Sequence, residues 1–238
     1  RKMMQNELLR RAAAMNIPMT EEMARKFETY HNMLTAANAQ FNLTRVPEDI
    51  GEAIDRNYLD CAAPVKLLPP EVKTCVDVGS GAGFPAIPMA ICRPDLHIVL
   101  IDSLTKRVDF LHSVIIELHL NAEAIHSRAE DAARRADLRD AFDLAMARAV
   151  APMNVLCEYL LPFVKCGGWM MALKGPGLDA EIQGAAHAMD ELCACFDHTD
   201  RVNIPNRDWD HRICWIRKCA ATPDKYPRKA GRAEKKPL

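Results

Sequence analysis

Apolar residues at Met23, Phe27, Tyr30, Leu34, Ala37 and Phe41 recur at three- and four-residue steps, so they share one helical face. Residues 4–70 accordingly read as a helical extension. Thr20 suits an N-cap, with Glu21 and Glu22 placing negative charge in the first turn. Phe41-Asn42-Leu43-Thr44 ends that helix. A second helix is predicted over 48–62, and Pro64, Pro69 and Pro70 close the region.

From residue 72 the period changes. Short apolar strands are predicted at 72–78, 97–102, 124–126, 142–147 and 168–173. Between them, Leu104, Val108, Leu111, Ile115 and Leu118 mark an amphipathic helix. Further helices are predicted over 153–164 and around Ile182, Ala185, Met189 and Leu192. Alternation of strand and helix implies a parallel sheet covered on both faces. The last two strands, 196–204 and 211–219, have no room for a helix between them and so run antiparallel to each other. The expectation is an α/β, Rossmann-like fold with a seven-stranded, mainly parallel sheet and a C-terminal antiparallel hairpin. The chain divides into a helical extension (1–70), the α/β unit (71–222) and a basic tail (223–238).

With 49% hydrophobic residues, a chain of 238 residues can bury a sizeable core. No apolar run approaches the roughly 20 residues that span a bilayer, and the first residues lack a signal-peptide core. Nine cysteines without a CxxC pair argue for reduced thiols, mostly buried, in a cytoplasmic protein without a metal or a disulfide framework. A net charge of −1 hides an asymmetry: residues 223–238 carry six basic side chains against Asp224 and Glu234. Such a tail suits a polyanion, although a merely solvated terminus fits as well.

The sharpest motif is Asp77-Val78-Gly79-Ser80-Gly81-Ala82-Gly83-Phe84-Pro85, which follows a strand and precedes a helix. Gly79, Gly81 and Gly83 let the backbone turn tightly and approach a ligand. Asp102 ends the next strand, where a carboxylate can accept from both ribose hydroxyls of an adenosine cofactor; capping the following helix is its alternative. The order Asp-x-Gly-x-Gly-x-Gly differs from the dinucleotide pattern, and S-adenosylmethionine has no phosphate for a helix N-terminus to bind. Asp77 then places negative charge near the cationic end of that cofactor, or serves as a structural carboxylate for the loop amides. Arg128-Ala129-Glu130-Asp131 follows the third strand, where it borders an adenine or simply starts a helix. Arg148 follows the fourth strand, across the switch point, facing cofactor and substrate unless it forms an idle salt bridge. Phe84 is either an apolar wall of the site or packing for the next helix.

Methyl transfer from a sulfonium needs mainly positioning. Attack by pyrimidine carbon-5 requires a covalent cysteine, and none stands in the stretch from Ala147 to Asn154. Exocyclic amines often use an Asn/Asp-Pro-Pro-aromatic motif after the fourth strand, where this chain has Arg148-Ala149-Val150-Ala151-Pro152. Guanine N7 carries a free lone pair and no proton, so the absence of an evident base is consistent with it.

These residues, in this order, resemble the bacterial small-subunit (16S) ribosomal RNA guanine-N7 methyltransferases, the glucose-inhibited division protein B family. The likeness runs through Phe41-Asn42-Leu43-Thr44, Asp77 to Pro88, Asp102-Ser103-Leu104 with Lys106-Arg107, Arg128 to Asp131, Ala147 to Ala151, Glu158-Tyr159, Lys174-Gly175 and Tyr226 to Gly231. In the second N-terminal motif, Asn57-Tyr58-Leu59-Asp60, the family usually has a histidine before the aspartate. The resemblance implies S-adenosylmethionine as cofactor, with contacts at Gly79, Phe84, Ala129, Glu130 and Arg148, the last also catalytic. It implies a guanine of 16S rRNA, within the small subunit, as substrate, and substrate contacts at Asn42, Thr44, Lys106, Arg107, Lys174, Arg228 and Lys229. The rival readings are an RNA-binding ribosome assembly factor that has lost catalysis, a methyltransferase for a small molecule or protein, and a dehydrogenase.

Overall fold

Seven strands form one sheet in the order β3-β2-β1-β4-β5-β7-β6. The computed structural model describes residues 3–148 and 151–238; Ala149 and Val150, within the motif from Ala147 to Ala151, lie outside the described residues. Two N-terminal helices come first, α1 (Met3–Ala14) and α2 (Glu21–Gln40). Thr20 caps α2 as its sequence suggests, its hydroxyl accepting from the Met23 amide at 3.1 Å. The segment predicted as one helix over 48–62 is longer and irregular. It starts as α3 (Ile50–Ala53), widens into a π-helical turn (Ile54–Leu59), returns to α4 (Asp60–Ala62) and tightens to a 3-10 turn (Ala63–Leu67) around Pro64.

The α/β unit runs β1 (Thr74–Val78), α5 (Ala86–Cys92), β2 (His97–Asp102), α6 (Thr105–Leu118), β3 (Ala122–His126), α7 (Ala129–Ala132) and β4 (Phe142–Arg148). It continues with α8 (Met153–Leu160), β5 (Val164–Lys174), α9 (Leu178–Gly184), α10 (Ala186–Glu191), β6 (Ala194–Val202), β7 (His211–Lys218) and α11 (Arg232–Lys235). The helix predicted over 153–164 stops at Leu160, because Pro162 removes an amide the helix would need. The helix centred on Ile182–Leu192 breaks into α9 and α10 at Ala185.

Strands β1 to β5 are parallel and β7 is antiparallel to both β5 and β6. The chain lays β2 and β3 to one side of β1, then crosses to β4 on the other. The crevice at the carboxyl ends of β1 and β4 is therefore the topological switch point.

Side chains alternate across this sheet, and each face has its own apolar cluster. Cys75, Leu144 and Met146 pack with α1, α2, α5 and α6. Val76, Ala145 and Ala147 pack with α8 and α10, and with Tyr226 and Ala233 of the tail. The helical extension thus shares a core with the sheet. Phe27, Tyr30 and Leu34 of α2 are fully buried there, each stabilising by about 1.5–3 kcal/mol. Among the described residues no helix is long and apolar enough to cross a membrane, and no cluster of metal-binding side chains occurs. Five of the nine cysteines are buried; Cys195 and Cys219 meet on the exposed hairpin with their sulfurs 3.7 Å apart.

Candidate active site

The glycine loop leaves β1 and is held by its neighbour strand. The amides of Gly79 and Ser80 both donate to the Ile101 carbonyl, at 2.8 and 3.1 Å. The three glycines have different jobs, although all have positive φ. At Gly81 a side chain would meet open space, so this part of the loop faces the crevice. At Gly83 a Cβ would lie 2.4 Å from Ile87 and 3.0 Å from the Tyr30 hydroxyl, so close packing against α5 and α2 requires glycine.

Asp102 braces both the glycine loop and the chain entering α6. Its Oδ2 accepts from the Gly81 amide at 2.9 Å and its Oδ1 from the Leu104 amide at 3.0 Å, just before α6. The same carboxylate lines the cavity in front of the loop and is only 3% exposed. A carboxylate oxygen has two acceptor sites, so each retains a lone pair for a ribose hydroxyl. Arg107 stands 3.7 Å from it.

The cavity has a volume of about 490 Å³, ordinary for a small-ligand site. Gly79, Ser80, Gly81, Ala82 and Phe84 form one wall. Ser127, Arg128, Ala129 and Glu130, leading into α7, form another side. Tyr159 and Glu234 close it from α8 and the tail, with the Tyr159 hydroxyl donating to Glu234 at 3.0 Å. Neither was legible as a site residue. Tyr159 reads as helix packing and Glu234 as a tail charge. Glu130 is itself tied to the tail, accepting from the Gly231 amide at 2.9 Å.

Asp77 lies beneath the loop and does not line the cavity. It is fully buried; burial pushes its carboxyl well above the usual range, against the pull of the Ala86 amide that donates to Oδ2 at 3.2 Å. Its sequence position suggests a negative charge near a cationic ligand, whereas burial disfavours the charged form. Its Oδ1 is buried with no hydrogen-bond partner. The start of α5, where a dinucleotide would set its pyrophosphate, is already taken by the Asp77 side chain. The residues present therefore fit S-adenosylmethionine better than a phosphate-bearing cofactor.

Arg148, the last residue of β4, borders this cavity opposite Asp102. Its guanidinium carbon lies 4.6 Å from the centroid of the Phe84 ring. Its Nη1 reaches the Arg56 carbonyl (3.4 Å), Asn57 Oδ1 (3.5 Å) and Cys61 Sγ (3.4 Å). The π-helical turn and α4 thus present acceptors to Arg148 at the switch point, a usual setting for such turns. Burial pushes the Cys61 thiol up to about 12, so it is a neutral thiol and not a nucleophile.

The remaining sequence-predicted residues are scattered. Thr44 borders the cofactor cavity. Asn42 and Lys106 are exposed, and the Lys106 ammonium sits 5.8 Å from the Phe41 ring. Lys174 donates to Glu181 (2.9 Å) and to the Ala151 carbonyl (2.6 Å). Arg228 is held within the protein: its Nη2 donates at 2.6 Å to Glu158, which is 1% exposed. Lys229 remains exposed beside it, along a second surface cavity that includes Arg134 and Arg232.

The family described as rRNA small subunit methyltransferase G matches residues 23–203. The chain is 40% identical over 235 residues to a ribosomal RNA small subunit methyltransferase G of Clostridium perfringens, covering 98% of each. It is 42% identical over 224 residues to the protein of that name from Lactobacillus johnsonii, covering 92% of this chain and 93% of the relative. Among solved structures it is similar to a branched-chain polyamine synthase from Thermus thermophilus (TM-score 0.57, 10% identity, 82% of this chain and 64% of that one). It is similar also to the [4+2]-cyclase SpnF (TM-score 0.54, 15% identity, 81% and 95%). These two share the fold alone, and their different names illustrate that a fold does not choose a reaction.

Proposed function

The chain belongs to the rRNA small subunit methyltransferase G family, and on that premise we propose that it transfers a methyl group from S-adenosylmethionine to N7 of a guanine in 16S rRNA. The observation that carries this reading is the junction of the glycine loop with Asp102: the Gly81 amide and the Asp102 carboxylate are 2.9 Å apart at the switch point, facing one cavity. An RNA substrate of this kind places the work in the cytoplasm, on the small ribosomal subunit or its precursor.

When bound, the cofactor supplies a methyl group on a positively charged sulfur, which departs as a neutral thioether. The nucleophile gains the methyl group and the positive charge, and no proton has to move. The protein's task is therefore alignment and exclusion of water. Asp102 accepts the ribose hydroxyls, and the start of α7 with Glu130 borders the adenine. Asp77 supports the loop from beneath by accepting from the Ala86 amide. A guanidinium is always charged, so Arg148 does not stabilise a cation growing on the base. Its remaining donors suit an oxygen of the substrate, while its stacking on Phe84 fixes its own position beside the reacting groups. The exposed Lys106 and Lys229 are placed for phosphates.

Incubation with radiolabelled S-adenosylmethionine and small subunits lacking N7-methylguanine tests the reading. Label should enter 16S rRNA, and the labelled base should be cleaved by chemistry specific for N7-methylguanine. Stoichiometric RNA binding without incorporation would instead favour an assembly factor. The intact cavity and loop speak against that outcome.

A further inference from the structure

A second cavity, of about 340 Å³, lies on the other side of Arg148 and shares Arg148 and Thr44 with the cofactor cavity. Asn57, Asp60, His211 and Arg212 line it, at the carboxyl ends of β4 and β5. Two buried donors of its lining have no hydrogen-bond partner among the described residues. Asn57 is 2% exposed, and the donor-only guanidinium of Arg148 near its Oδ1 sets the direction of its amide. Its Nδ2 has no hydrogen-bond partner among the described residues, and neither does the buried Nε of Arg212, which lies 3.9 Å from Asp210 while Nη2 pairs with Asp179 at 3.0 Å. Buried donors without acceptors are costly, so a pair of them in one cavity marks a place for a ligand oxygen. Opposite in character stands Asp60, 7% exposed, an acceptor that His211 Nδ1 holds through one oxygen at 2.9 Å. The His211 ring is stacked on Trp209, 5.4 Å between centroids, which immobilises that pair.

Resting on the methyltransferase reading, we propose that this cavity receives the target guanine, turned out of its stack, and distinguishes it from adenine. Guanine presents N1–H and N2–H donors beside the O6 acceptor on one edge. The carboxylate of Asp60 accepts from the two donors, and Asn57 Nδ2 with Arg212 donates to O6. Adenine has the reverse order on that edge, an amino donor where guanine has O6 and a bare N1. It would face donor against donor and acceptor against acceptor. Extrusion of a single-stranded base into a pocket that reads its pairing edge is a general solution when chemistry must reach a base atom. Arg148 and Thr44 then flank the passage where the two cavities meet, across which N7 of the base must reach the methyl group.

The test uses the full chain saturated with S-adenosylhomocysteine, with GMP, IMP and AMP as probes in saturation-transfer NMR. GMP should bind, IMP (which lacks the 2-amino group) should bind more weakly, and AMP should give no signal from this cavity. Asp60→Asn should abolish the preference for GMP and lower kcat/KM on the small subunit about 10- to 100-fold, with cofactor affinity unchanged by calorimetry. Asn57→Leu provides the same readout should Asp60→Asn not fold. Competition of GMP with S-adenosylhomocysteine, or wild-type rates in both variants, would overturn the proposal while leaving the methyltransferase reading intact. Asp60-dependent GMP selection by a protein that transfers no methyl group would support the pocket and sink that reading.

Discussion

The Tyr30 hydroxyl donates to the Ala82 carbonyl at 2.7 Å, tying the second N-terminal helix to the glycine loop. Burial raises the Tyr30 phenol well above its usual value, so it remains a donor at any physiological pH. The ring is one of a buried group with Phe27, Tyr58 and Phe84, and Phe84 carries Arg148. Loop, helical extension and switch-point cation are thus one packed unit. Tyr30→Phe deletes only the hydroxyl and leaves a buried carbonyl unpaired. It should cost about 1–3 kcal/mol in denaturant unfolding. It should also weaken S-adenosylmethionine binding in calorimetry, because the loop loses its anchor.

Asp77 gives a pH dependence with a defined sign. Its folded-state value is raised above the ordinary 3.8, so the native chain holds a proton there that the unfolded chain releases. Stability from this group is full below about pH 4 and declines as pH rises from 3.8 through the folded value. Asp77→Asn removes the titration while keeping the shape. Thermal melts from pH 4 to 8 should show a flatter profile for the variant than for the wild type. An equal slope would show that Asp77 is ionised in the fold.

Arg148→Lys keeps the charge and loses the flat guanidinium over Phe84, together with the reach of Nη1 to the π-helical turn. Methyl transfer to the small subunit should drop roughly 100-fold, in keeping with the sensitivity of catalysis to misplacement. Cofactor affinity should change by far less. A parallel fall in both would make Arg148 a cofactor ligand only.

Removal of residues 223–238 bears on more than RNA. The segment supplies Glu234 to the cofactor cavity, the Gly231 amide to Glu130, and Tyr226 to the core beside α8. The truncated protein should lose affinity for both S-adenosylmethionine and RNA, and should melt earlier. Lys229→Ala, on an exposed side chain, should reduce RNA binding alone and flatten its salt dependence. Filter binding at several salt concentrations, beside calorimetry with the cofactor, separates the two effects.

Lys218 has no exposed side-chain surface; its three ammonium hydrogens are shared among four acceptors, Asp140, Thr222 and the carbonyls of Leu161 and Val164. Lys218→Ala strands these partners, and should destabilise by about 3–5 kcal/mol. The specific activity of the surviving folded enzyme should be normal, since the site lies at the other end of the strands. Chemical denaturation paired with active-site titration checks both halves of the expectation.

Much of the frame could be read along the chain. Thr20 as a cap, Phe27, Tyr30 and Leu34 as one buried stripe, and each strand but its exact ends follow from spacing alone. So do the glycine loop and the acid at the tip of the next strand, because turn chemistry and strand length put Gly81 and Asp102 side by side. The order β5-β7-β6 does not follow, because a hairpin can join a sheet by either strand. The break at Ala185 and the π-helical turn at Ile54–Leu59 are likewise invisible, since tertiary packing overrides local preference there.

The sequence by itself determined where strands, turns and the acid ending β2 fall, because those depend on neighbours a few residues apart. Only the tertiary structure decided what each polar side chain meets. It set Tyr30 against Ala82, engaged the basic Arg228 with Glu158, and brought Asn57 and Asp60 to the flank of Arg148. Such partners lie tens of residues apart, and their pairing is fixed by how two packed faces meet, which no periodicity along one chain records.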